Sequence, residues 1–119
     1  MAKAIAFATV RDIGLKLTDV EEGTTYGSPA LKVRGKLLAC IAVNKSAEPN
    51  TLAVVVGVAS REALIAERPD VYYVTDHYAD YPTVLVRLSR IHKDELKDLL
   101  GEAWQFVTAS ARRSTRSRY

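Results

Sequence analysis

Residues 71–88, VYYVTDHYADYPTVLVRL, place β-branched and aromatic runs on either side of a turn-rich centre, HYADYP, a pattern that predicts strand, tight loop, strand. In the second arm Val84, Val86 and Leu88 share one face and Thr83, Leu85 and Arg87 the other. Both arms carry apolar groups on both faces, so the hairpin is expected at the centre of a sheet, not as a loose edge. A second hairpin is expected over residues 30–43. There Leu31 and Val33 alternate with Lys32 and Arg34, Gly35 supplies a positive φ, and LLACIAV returns as a strand apolar on both sides.

Around these hairpins the chain reads as helix at both ends. Phe7, Val10, Gly14 and Leu17 recur at near-helical spacing over residues 3–17, with Gly14 weakening the last turn. Residues 18–23, TDVEEG, read as a solvated exit loop, and residues 24–29 as a short extended piece closed by a turn. TLAVVV (residues 51–56) is a further buried strand, followed by a short helix over 61–67 with Ser60 as its cap and Pro69 beyond its end. Over 92–111, Leu96, Leu99, Leu100, Ala103, Trp104, Phe106 and Val107 fall within an arc of roughly 160° at helical spacing. That stripe is expected on the sheet, with Trp104 and Phe106 as lids at its edges. The fold class expected is α+β: one antiparallel sheet with two long hairpins, terminal helices and a short middle helix, packed mainly on one face.

At 119 residues the chain is long enough for one core, and residues 1–111 read as a single domain. No apolar run approaches the ~18 residues that a membrane span needs. The first residues, MAKAIAFATV, are followed by Arg11 and Asp12 without a cleavage site, so no signal peptide is expected. Cys40 is the only cysteine, which leaves no internal disulfide and points to the cytoplasm. The thiol is expected as a small buried hydrophobe. The net charge of +3 comes from Arg112, Arg113, Arg116 and Arg118 in a flexible tail, 112–119; without them the body holds 13 basic and 14 acidic side chains. A generally basic nucleic-acid binder is not what that balance describes.

Catalytic signatures are missing: no G-x-S-x-G, H-E-x-x-H, C-x-x-C or G-x-G-x-x-G occurs, and RGKL at 34–37 lacks the flanks of a phosphate loop. The chain is expected not to be an enzyme and to need no cofactor. His77 is the one chemical centre, with Asp76 and Asp80 flanking it and Tyr78 and Tyr81 near. Two potential ligands three residues apart fall short of a metal set, so no metal is expected. The same residues can organise the loop or line a ligand site. Basic groups gather as Lys32, Arg34 and Lys36 at one hairpin tip and as Arg87 and Arg90 at the exit of the other hairpin. Such tips can track phosphates, or can simply be solvated.

Three segments together resemble the MmcQ/YjbR family: EEGTTYGSPALKVRGKLLACI, DVYYVTDHYADYPTVLVRL and DELKDLLGEAW. The order of Y-G-x-P, G-K, T-D-H-Y-x-x-Y-P and A-W carries the likeness over roughly residues 21–107. Members often have Leu-Pro where this chain has Leu17-Thr18, and the Arg-rich end is not part of the pattern. The resemblance implies a frataxin-like α+β fold and a double-wing DNA-binding motif, with 30–43 and 71–88 as the wings. It thus implies DNA as partner, contacted by Lys32, Arg34, Lys36, Arg87 and Arg90, with Tyr78 and Tyr81 at a wing tip. The alternative is a non-catalytic small-molecule or protein-interaction domain centred on the His77 loop, with Tyr26, Asp76 and Asp80 nearby. Iron binding of the frataxin kind would need a row of carboxylates on the first helix, which offers only Asp12.

Overall fold

Val10 and Gly14 are the two buried positions of the first helix, α1 (Phe7–Gly14), in a computed structural model that describes residues 5–25 and 27–116. Gly14 does more than weaken a turn: a Cβ there would collide with Leu31 Cδ1, so its absence lets α1 lie close against the sheet. The sheet then follows as β1 (Val20–Thr25), β2 (Ser28–Val33), β3 (Lys36–Ile41) and β4 (Thr51–Val55). After α2 (Val58–Glu67) come β5 (Tyr72–Tyr73), α3 (Asp76–Ala79), β6 (Thr83–Arg87) and the long α4 (Lys93–Arg116). All neighbours are antiparallel, in the order β1-β2-β3-β4-β6-β5.

The expected hairpin over 30–43 is β2 and β3, turning through Arg34 and Gly35, both at positive φ as a two-residue turn requires. Leu96, Leu99, Leu100, Ala103 and Val107 are buried in the main core, with Trp104 and Phe106 half-buried at its margin. Leu31, Val33, Leu38, Leu52, Val54, Val84 and Val86 face them from the sheet. The helices therefore cover chiefly one face of the sheet.

Four expectations change. Of the expected loop over 18–23 only Thr18 and Asp19 are turn: β1 occupies the edge of the sheet from Val20, paired with β2 from Val20↔Val33 to Thr25↔Ser28. Glu21 and Glu22 are exposed on it, and charged side chains on an edge strand oppose pairing with other chains. The 71–88 hairpin lies at the opposite margin, not at the centre. Its second arm, β6, is interior, but its first is the two-residue β5, and α3 replaces the tight loop. The helix α2 starts at Val58 behind Gly57 (φ 92°), with no side-chain cap from Ser60. A Cβ on Gly57 would come within 2.8 Å of Phe106, so glycine there serves both backbone and packing. The backbone of α4 runs on through Arg116, past the end expected at 111, and residues 117–119 of the Arg-rich segment lie outside the described residues.

Candidate functional site

A row of paired residues crosses the sheet on the face away from α1 and α4: Gly23, Ala30, Cys40, Ala53, Leu85 and Tyr73. Four of the six have small side chains or none, so the middle of this face is hollow where the opposite face is filled by Leu and Val. A β-bulge deepens the asymmetry. Leu31 pairs with Ala39 but Lys32 pairs with Leu37, which leaves Leu38 as the extra residue. Leu38 and Ala39 both join the main core, and Leu37 and Cys40 both turn to the hollow face.

Over this hollow lie the 44–50 loop on one side and residues 74–82, with α3, on the other, and between them runs a cleft of about 620 Å³. Leu37, Cys40, Ile41, Ala53 and Val55 form its floor. Its walls are Val43 and Asn44 on the loop side and His77, Tyr78, Tyr81 and Thr83 on the α3 side, with Thr25 at the β1 margin. No Asp, Glu, Lys or Arg lines it among the described residues. His77 and Tyr78 stack edge to face, ring centroids 4.9 Å apart. Burial pushes the Tyr78 hydroxyl up, against the opposing pull of the Asn44 backbone. Burial also pushes the Cys40 thiol up, which disfavours the nucleophilic thiolate.

Both walls are pinned. Arg61, buried on α2, donates from Nη1 to the carbonyls of Tyr81 (2.8 Å), Ala79 and Thr83, and the amides of Val56 and Gly57 donate to Pro82. On the other side the Tyr73 hydroxyl meets the Glu48 amide and Thr51 Oγ1, and Ser46 meets Thr75 at 2.8 Å. Sequence reasoning missed Arg61, because a single Arg on a short helix carries no signal of burial.

The predicted phosphate contacts do not come together. The Arg87 guanidinium is held by Glu48 (2.8 Å) and the carbonyls of Pro69 and Asp70, and stacks 4.3 Å above Tyr73. That hydrogen bonding draws the Glu48 carboxyl below its ordinary range. Arg34 pairs with Asp19 at 3.0 Å, Lys32 is half-buried, and Lys36 and Arg90 are exposed. Arg87 pairs with Thr51 at the start of β4, whereas the β2–β3 tip stands by its end. The two basic groups are thus separated by about 13 Å along the strand direction alone. Of the alternative set, His77 lines the cleft, Asp76 and Asp80 are exposed outside it, and Tyr26 lies outside the described residues. No group of three His, Cys, Asp or Glu among the described residues could hold a metal ion. No described helix is long and apolar enough to cross a membrane.

A second cluster lies beside α4. The Tyr72 hydroxyl donates to Glu95 (3.1 Å), which also accepts from Arg68. Burial first, and then the Glu95 charge, push the Tyr72 phenol well above its usual range. A raised folded-state pKa stabilises fully below the unfolded value, about 10, and that contribution disappears as pH rises beyond it. Tyr72→Phe should therefore lose about 1–2 kcal/mol at pH 7 and lose stability less steeply than the wild type as pH rises above about 10. Parallel alkaline unfolding curves for the two proteins would contradict this.

A family model described as YjbR matches residues 15–106. Among curated proteins, uncharacterized proteins of Mycobacterium bovis and Mycobacterium tuberculosis are 52% identical over 42 residues, 35% of this chain and 33% of theirs. The match spans about a third of the length of those relatives. No solved structure matches the chain.

Proposed function

The chain belongs to the YjbR family, and on that fold we propose that it binds a small, largely uncharged molecule in the cleft beneath α3 without transforming it. The observation that carries this reading is the pair of small residues Cys40 and Ala53 on the cleft floor between two pinned walls. An antiparallel sheet can leave its second face to water when that face is polar, but this one is apolar, and largely apolar concavities of this size with a few polar groups suit small ligands. A binding role rather than a catalytic one is supported by the lining. It offers no carboxylate or cation, its thiol is held protonated, and no hydrogen bond orients the His77 ring among the described residues. Nile red, a neutral apolar dye, should bind one to one with a blue-shifted emission. Val43→Trp, at a rim position 57% exposed and so tolerant of change, should narrow the mouth and weaken binding at least tenfold. Dye binding indifferent to Val43→Trp would count against the cleft.

DNA binding through the β2–β3 wing is the second reading, and one observation favours it. Trp104 donates to the Thr18 carbonyl and Phe106 abuts Gly57, so α4 passes the end of the sheet that bears Lys32, Arg34 and Lys36 before continuing through Arg116. The cost to this reading is Arg87, whose guanidinium is already occupied. Three phosphate contacts would give a slope of about −2.7 in log K against log salt. Replacing Lys32, Arg34 and Lys36 with Ala should abolish that slope in a duplex titration if this wing is the contact. An unchanged slope would remove the wing from consideration.

A further inference from the structure

We infer that the molecule the cleft takes is a flat, uncharged aromatic ring system of two or three fused rings carrying a hydrogen-bonding group at its edge. The inference rests on the cleft-binding reading and narrows it to a chemical class.

The first argument is the shape of the floor. Cys40 and Ala53 are directly paired on adjacent strands and put only a thiol and a methyl at the centre of the floor, with Leu37, Ile41 and Val55 beside them. Two small side chains between larger apolar ones make a narrow slot, in which a flat ring reaches contact on both sides and a puckered one does not. The second argument is the composition of the wall. His77, Tyr78 and Tyr81 bring three rings to one side, already arranged edge to face at the His77–Tyr78 contact. Aromatic walls discriminate by ring geometry beyond the area they cover. Tyr81 is 56% exposed although it lines the cleft, a large aromatic left uncovered at the mouth. The third argument is charge. With no Asp, Glu, Lys or Arg in the lining among the described residues, a carboxylate or ammonium carried into the cleft would be desolvated without an opposite charge from any of these. The polar groups that line it, the Asn44 amide, the His77 ring and the hydroxyl-bearing Thr25, Thr83, Tyr78 and Tyr81, are few and suit a single neutral hydroxyl or carbonyl on the ligand's edge.

Three probes share one carbon skeleton and separate these arguments: 2-naphthol, its saturated counterpart decahydro-2-naphthol, and 2-naphthoate. Calorimetric titration of the full chain should rank 2-naphthol about three- to tenfold above the saturated alcohol and at least tenfold above the carboxylate. Tyr81→Ser, an exposed position whose change leaves the Arg61 contact to the Tyr81 carbonyl in place, should reduce the preference for the flat ring. Tyr78→Leu should reduce it further in a protein shown to be folded by its unfolding curve. Equal or tighter binding of decahydro-2-naphthol would overturn the aromatic class while leaving the cleft as a binding site. Tightest binding of 2-naphthoate would overturn the uncharged class in the same way. Binding of none of the three, together with failure of Nile red to bind, would bring down the cleft reading itself.

Discussion

Leu100→Ala is expected to destabilise the protein by about 2–5 kcal/mol, the span for truncating a fully buried Leu. Leu100 has no exposed surface, and α4 lays it against β3 and β4 among the branched side chains of the main core. The upper half of the span applies if the sheet cannot move inward. Collapse is resisted because β3 and β4 are interior strands, paired on both sides. The loss should appear as a lower urea midpoint with an unchanged slope, the mark of altered stability rather than altered compactness. A cost below about 0.5 kcal/mol, the ordinary scatter of surface changes, would mean that this face of α4 does not hold the sheet.

Arg61→Ala should cost about 2–4 kcal/mol, and by a different route. A buried guanidinium that donates to three carbonyls leaves those acceptors without a partner when it is removed, and hydrogen bonds to charged donors are the stronger kind. Because all three acceptors belong to residues 79–83, the damage should concentrate in the cleft wall. Amide exchange there should accelerate more than in β2 or β3. Arg61→Met retains most of the packed stem and should recover only the part of the loss due to volume. If Met proves as stable as Arg, the carbonyl contacts contribute nothing and the wall is held by packing and the Val56 and Gly57 amides alone.

Much of this architecture was legible along the chain because it is written at short range. The α4 stripe repeats at 3.6 residues with no competing signal, and Leu31, Val33 and Gly35 specify a hairpin locally. β1 escaped because an edge strand needs little apolar surface, and Glu21 and Glu22, which protect the edge, look like a loop. α3 escaped because DHYA is a single helical turn with turn-forming residues around it. The cleft itself could not be read. Ala30, Cys40 and Ala53 are 10 and 13 positions apart in sequence and become a row only through strand register and the bulge at Leu38. His77, Tyr78 and Tyr81 stood out for their chemistry, and the structure brings all three to the cleft wall. The grouping of Arg87 with the hairpin-tip cations failed for a related reason: two hairpins suggest two adjacent wings, but β4 and antiparallel pairing send their basic ends to opposite ends of the sheet.

The most direct measurement is an amide chemical-shift titration of the isotope-labelled chain with a panel of neutral fragments that includes 2-naphthol. The cleft account predicts saturable shifts at Cys40, Asn44, Ala53, His77 and Thr83 together, residues distant in sequence that share only this cavity, with the amides of residues 32–36 unmoved. Fragments that shift none of these five, alongside a duplex oligonucleotide that shifts residues 32–36, would contradict it.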